Sequence, residues 1–244
     1  MPIDEHEGEY TYGDYAPITD TVCSTIYALY LCDHNGYPVD MHIGSAVAVS
    51  SDGLFLTADH VINEVDDELD EPDLTLGMVR NSPYTDQVQI LYNIDIVDRF
   101  EDDDISVLSA NVGGIERYDY LTVRTRGSIE GLGQPTATFG YPEAISDSEG
   151  HVNPATLSGV VSSFYSYENS KSYLVDTLFL PGLSGGPLLS LRRGDVIGLI
   201  HKREKYEEYD GYKRTSIPAD ISEAKSTTST NSSNIGRELE ELGV

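Results

Sequence analysis

The chain has 244 residues, 42 of them acidic against 15 basic, for a formal net charge of −27. That length buries a sizeable core, and that charge excludes nucleic-acid binding through a basic surface. No apolar run reaches membrane-spanning length, so no membrane partner is expected.

Residues 1–19 are acidic and aperiodic, and read as an extended or disordered leader. Its first residues, Met1-Pro2-Ile3-Asp4-Glu5-His6-Glu7, have neither the basic start nor the apolar core of a secretory signal, which points to the cytoplasm. Strands are expected near 21–31, 38–49 and 53–58, with Asp33-His34-Asn35-Gly36 turning the first hairpin. Cys23 and Cys32 flank the run Val22–Leu31. If that run is one extended strand they stand about 30 Å apart, beyond disulfide reach, so free thiols are expected. A metal set of Cys23, Cys32, His34 and His42 fails on spacing, and neither metal nor cofactor is expected.

A short helical turn is expected over 58–65, then a solvated acidic loop over 63–73. Further strands are expected near 74–80, 87–97 and 105–109, and such short runs between turn signals favour an all-β sandwich or barrel. Asp102-Asp103-Asp104 opens the last of these strands. Asp104 abuts the apolar run, so it is expected to reach inward while Asp102 and Asp103 stay solvated. Residues 111–133 cross over, with 119–124 strand-like. Strands are expected near 136–140, 156–165, 172–177, 187–191, 195–201 and 211–216. Residues 226–244 read as a flexible tail, with a Ser/Thr/Asn linker and a short helix from Asn234 to Leu242. Ile235, Leu239 and Leu242 share one face of it.

Against this all-β background, Gly182-Leu183-Ser184-Gly185-Gly186-Pro187-Leu188 places one serine in a small-residue loop before an apolar strand. A serine needs a base to act as nucleophile. Upstream, Leu56-Thr57-Ala58-Asp59-His60 ends a strand in a histidine, and Asp104 lies between the two, in the order His, Asp, Ser. The G-x-S-x-G elbow of α/β-hydrolases needs Ser, acid, His instead. Only His201 follows Ser184, seventeen residues on, too close for a hydrolase helix and acid-bearing strand.

These segments resemble a trypsin-like serine peptidase, nearest the HtrA/Deg-type and glutamyl-endopeptidase branches and without a PDZ module. The resemblance rests on Ile43–Val49 with Asp52-Gly53 and Leu56–Val61, on Phe139-Gly140-Tyr141-Pro142 and Leu157–Ser162, and on Val175–Leu188 with Val196–Leu199. It spans residues 20 to 220 and implies two six-stranded antiparallel β-barrels, residues 20–110 and 134–225, with Ile217-Pro218-Ala219-Asp220-Ile221 resembling the entry to a short C-terminal helix. It implies Ser184 as nucleophile, His60 as general base and then acid, and Asp104 as the group that orients His60. An imidazole pKa of about 6.5 suits both tasks of His60 near neutrality. The oxyanion hole is expected from the backbone N–H groups of Gly182 and Ser184, with Gly182 in a glycine-favouring conformation. Leu183 stands where digestive members carry an aspartate that pairs with a new N-terminus, and where HtrA-type members commonly carry asparagine. No zymogen activation by a buried ammonium is therefore expected, and whether the hole is preformed is left open.

Leu178, six residues before the serine, argues against an Arg/Lys preference. Ile200, His201 and Lys202 are the other candidate substrate-binding residues. Glutamyl endopeptidases carry a substrate-binding histidine two residues after the strand's glycine; His201 stands three after Gly198, so it comes into register only through a bulge. Arg192, Arg193, Lys202, Arg203, Lys205, Lys213 and Arg214 either balance local charge or guide acidic polypeptides. The expected partner is a polypeptide substrate; the oligomeric state is not legible. An alternative is a catalytically silent fold that grips a peptide, and a third is an acidic decoy for a nucleic-acid-binding protein. Acids spread along the whole chain, with ten Arg against five Lys, read as adaptation to a high-salt cytoplasm.

Overall fold

Alternation and full burial of short apolar runs determine this fold. A computed structural model describes residues 22–39, 42–81, 88–110, 117–126, 131–145, 152–167, 170–202, 221–227 and 235–244. Six strands close the first barrel: β1 (Ile26–Asp33), β2 (Gly44–Ala48), β3 (Leu54–Thr57), β4 (Leu74–Asn81), β5 (Val88–Phe100) and β6 (Ile105–Ala110). Their order around it is β1-β2-β3-β6-β5-β4. β7 (Pro135–Gly140), β8 (Ala155–Tyr167), β9 (Ser170–Asp176), β10 (Pro187–Ser190), β11 (Val196–Lys202) and β12 (Ile221–Ser226) close the second, in the order β10-β11-β12-β9-β8-β7. All ladders are antiparallel, and closure leaves neither sheet an open edge. The expected pair of six-stranded barrels is the observed architecture.

Three apolar clusters carry the packing. Tyr27, Leu29, Phe55, Leu76, Met78 and Leu91 fill the first barrel. Val161, Tyr173, Val175, Leu183, Leu188, Ile197, Ile200 and Ala224 fill the second. Between them, Ile26, Ala28, Val47, Leu56 and Val107 meet Ala137, Phe139, Leu189 and Leu199, so the two barrels share a continuous apolar seam. Arg124 of the crossover seals one end: it pairs with Asp195 at 2.6 Å, and its N–H donates to the Val196 carbonyl at 2.8 Å.

The first hairpin is shorter than expected. Asn35-Gly36 turns it, with Gly36 at φ +82°, but β2 pairs with β1 only over Ile26–Leu29, and Cys32 meets Pro38 in an isolated bridge. Proline has no N–H to give a ladder, which stops the strand there. Cys23 and Cys32 are not joined in a disulfide. Burial pushes the Cys32 thiol up to about 11, so it is an inert apolar filler. The expected helical turn is α1 (Asp59–Asn63), and the acidic loop after it carries α2 (Asp66–Leu69), none of whose residues is buried.

The C-terminal region departs furthest from expectation. The expected strand at 211–216 lies outside the described residues; the last strand of the barrel is β12, at Ile221–Ser226, where a helix was expected to begin. It completes closure by pairing with β9 and β11. Thr227 is fully buried, and α3 (Ile235–Glu241) packs Ile235 and Leu239 into the seam between the barrels. The last helix is thus a docked part of the core, with its apolar face placed as its spacing predicts. Among the described residues, no helix is long and apolar enough to cross a membrane.

Candidate active site

The site lies where the ends of β3, β6, β10 and β11 converge. His60 is the second residue of α1, immediately after β3. It reaches Asp104 twice: its backbone N–H donates to Asp104 Oδ1 at 2.8 Å, and its Nδ1 lies 2.9 Å from Oδ2. Asp104 can offer both oxygens because its own backbone is left-handed, at φ 50° and ψ 48°, just before β6 begins. Aspartate is one of the few non-glycine residues that visit this region. Burial alone would raise its pKa. Hydrogen bonds from His201 and His60, with their charge, outweigh burial and hold the carboxyl well below the usual carboxylate range. Of its acidic neighbours, Asp102 is exposed as expected but Asp103 is buried, because the 3₁₀ turn over Glu101–Asp103 folds it inward.

A second polar network, hard to foresee from residue order, holds His60 from behind. Asp59 is 2% exposed; it accepts from Ser106 Oγ at 2.6 Å and from Arg99 Nε at 2.7 Å. Arg99 also binds Asp66 at 2.7 Å, tying α1, α2, β5 and β6 together. The one available signal was Arg99 itself, a lone base in an acid-rich stretch.

The nucleophile loop is fixed by backbone and by packing. Gly182 has φ +89°, and a Cβ there would lie 2.4 Å from His42 Nε2 and 2.5 Å from the Tyr141 carbonyl oxygen. Gly185 has φ +83°, and a Cβ would lie 2.1 Å from the Ser45 carbonyl oxygen. Only glycine fits either place. Ser45 Oγ donates to the Gly182 carbonyl at 2.7 Å and accepts from the Tyr141 N–H at 2.9 Å, while Ser45 N–H donates to the Ser184 carbonyl at 2.8 Å. The Gly185 N–H and Gly186 carbonyl both bond to Ile200 at 2.8 Å.

Leu183 supplies what its type seemed unable to supply. It is 1% exposed and sits inside the second-barrel core, so the loop is anchored by apolar burial where an ion pair or amide would otherwise do it. The Pro181 carbonyl accepts from the Glu143 N–H at 3.0 Å. A trans peptide aims its N–H opposite to its carbonyl, so the Gly182 N–H faces away from Glu143. Among the described residues, neither the Gly182 nor the Ser184 N–H meets a protein acceptor.

His42 forms the outer wall of this loop. It is 4% exposed, with Nε2 2.5 Å from the Tyr141 carbonyl oxygen. Burial pushes its pKa down, partly offset by that hydrogen bond and by the charge of Glu143. A neutral ring with the proton on Nε2 satisfies the carbonyl.

Ser184 reaches the cluster through His201, whose backbone it bonds and whose side chain bonds Asp104. Oγ donates to the His201 carbonyl at 3.0 Å, and among the described residues it makes no hydrogen bond to His60. The His201 side chain completes the cluster: Nδ1 hydrogen-bonds Asp104 Oδ2, and the ring stands edge-on to His60 with centroids 5.1 Å apart. Register between β11 and β12 shifts between Ile200 and Lys202, so the bulge that His201 required is present. It aims the ring at Asp104. Ile200, expected to line the cleft, is instead fully buried in the second-barrel core. Leu178 is 39% exposed on the loop between β9 and the nucleophile. Lys202 ends β11. Of the expected basic cluster, Arg192 and Arg193 are exposed, while Arg203, Lys205, Lys213 and Arg214 lie outside the described residues.

A sequence profile of the trypsin-like peptidase domain matches residues 44–199. No curated protein sequence matches the chain. Among solved structures, the chain is similar to Deg5, with a TM-score of 0.63, 16% identity, and coverage of 89% of this chain and 91% of that one. It is similar also to the MamO protease domain from Magnetospirillum magneticum in its apo form, with a TM-score of 0.56, 16% identity, and coverage of 85% and 93%.

Proposed function

From the premise that this chain belongs to the trypsin-like peptidase family, we propose that it is a serine endopeptidase working through His60, Asp104 and Ser184. The observation that carries the reading is the 2.9 Å contact of His60 Nδ1 with an ionised, buried Asp104 beside the serine loop. That contact fixes the proton on Nδ1 and leaves Nε2 as the base. Rotation of Ser184 about χ1, between staggered wells, brings Oγ from the His201 carbonyl to Nε2; such bonds commonly tighten only when substrate binds. Oγ then attacks the peptide carbonyl as Nε2 takes its proton. The resulting oxyanion lies between the Gly182 and Ser184 N–H groups, each worth about 3 kcal/mol of transition-state stabilisation. His60 returns the proton to the leaving amine, and water hydrolyses the acyl-enzyme by the same route.

The substrate is a polypeptide, and the half-exposed Leu178 favours an uncharged residue over Arg or Lys at the cleavage site. The net charge of −27 fits a protein built for a salt-rich cytoplasm, where screening removes self-repulsion. A second reading, a silent peptidase fold that binds peptides, is favoured by one observation: Ser184 Oγ is bonded to the His201 carbonyl, not to His60. Incubation with a peptide library in multimolar salt, read by mass spectrometry, separates the two. The peptidase reading expects a reproducible cleavage pattern that disappears in Ser184→Ala. Peptide retention without cleavage would establish the binding module instead.

A further inference from the structure

His201 has no part in the proposed reaction, yet the bulge in β11 aims it into the reacting centre. Its side chain, like that of Asp104, is about one-tenth exposed, whereas His60 is 31% exposed and open to solvent. One donor atom from each of His60, Asp104 and His201 lies within 4.8 Å of the others. Two imidazoles and a carboxylate are a ligand set for Zn²⁺, which commonly takes three protein ligands at about 2.0–2.2 Å and a water at the fourth position. We propose that these three side chains bind one Zn²⁺ ion, and that the bound ion holds the site in a reversibly inhibited state.

Several features prepare the site. The left-handed backbone of Asp104 and the His60 N–H fix one carboxylate oxygen and leave the other toward both imidazoles. The bulge fixes His201. Tetrahedral ligation needs donor atoms about 3.3 Å apart, a spacing that lies between the 2.9 Å contact of His60 with Asp104 and the 4.8 Å that spans the whole set. The acidic surface raises the local concentration of any divalent cation.

Occupancy blocks catalysis whichever nitrogen of His60 is used. An ion on Nε2 takes the lone pair that would accept the Ser184 proton. An ion on Nδ1 forces the remaining proton onto Nε2, with the same result. A zinc ligand must offer a free lone pair, so zinc affinity falls as pH is lowered.

The site needs no turnover, so it is tested on the full-length Ser184→Ala chain, stripped with chelator and held in high salt with excess Mg²⁺ to occupy surface carboxylates. Calorimetric titration with Zn²⁺ is expected to show one tight site per chain, weakened at least about tenfold in S184A/H201N. Co²⁺ in place of Zn²⁺ is expected to give the intense visible bands of a tetrahedral site in Ser184→Ala itself, which keeps the test independent of how the double variant folds. Affinity unchanged by His201→Asn, or cobalt bands absent, overturns the proposal. Zinc binding in a chain that never cleaves peptide would remove the peptidase reading and leave this site standing; cleavage without zinc binding would do the reverse.

Discussion

The two halves of the site are held by opposite kinds of force. On the first-barrel side, charge holds His60: Asp104 beneath its ring, and the buried Asp59 tied to Arg99 and Ser106 behind its helix. On the second-barrel side, the serine loop is held by backbone hydrogen bonds and by Leu183 sunk in an apolar core. The contrast teaches that an anchor for an oxyanion loop need not be ionic. A buried side chain fixes the peptide plane beside it through packing, which neither salt nor pH switches. In a chain with a net charge of −27 the ion pairs behind His60 are the salt-sensitive anchors of the site, whereas the packing that holds the serine loop is not.

The largest expected effect tests the packed half. Leu183→Ala removes a fully buried side chain, and chemical denaturation should show a loss of about 3 kcal/mol, with kcat falling alongside. A full loss of kcat with stability unchanged would mean that the leucine acts on the loop without anchoring it. Arg99→Leu is the matching blow to the charged half. It strands Asp59 as an unpaired buried carboxylate, at a cost of about 3 kcal/mol that denaturation at low and high salt should place on the first barrel. Leu183→Ala, by contrast, should lose as much at either salt concentration.

Ser45→Ala removes one hydroxyl that bonds both the Gly182 carbonyl and the Tyr141 N–H. About 1–2 kcal/mol of stability should go, and kcat should fall more than KM changes. Acid titration gives the smallest effects and separates the halves again. Asp104 has a depressed folded pKa, so its contribution is full above the ordinary carboxylate value of about 4 and is lost as pH falls toward the folded value. The stability gap between wild type and Asp104→Asn should therefore be constant at neutral pH and close only in strong acid. His42 is also depressed, so below about pH 6.5 the unfolded chain binds the extra proton and stability declines. His42→Gln keeps a donor for the Tyr141 carbonyl but cannot titrate. Its stability should decline less between pH 7 and 5 than that of wild type, by at most about 1.4 kcal/mol per pH unit.

Much of this was legible from residue order. His60, Asp104 and Ser184 stand in the order that excludes a hydrolase elbow, and the glycines beside Ser184 announced the tight loop that φ +89° at Gly182 reveals. What stayed hidden depended on contacts distant in sequence. β12 reads Ile-Ser-Glu-Ala-Lys-Ser, weak in β-formers, and is a strand because β9 and β11 flank it on both sides. Leu183 looked like a missing anchor because its partners, Tyr173, Ile197 and Ala224, come from three other strands. His201 looked like a pocket residue, since no pattern in β11 shows which way a bulge will turn a side chain.

The central claim is that Ser184 is a nucleophile activated by His60. Intact-mass analysis after treatment with a fluorophosphonate in multimolar salt and chelator tests it most directly. The account predicts one adduct per wild-type chain, none on Ser184→Ala, and labelling slowed by orders of magnitude in His60→Ala. A wild-type chain that takes no adduct, or an adduct that persists without Ser184, would contradict it.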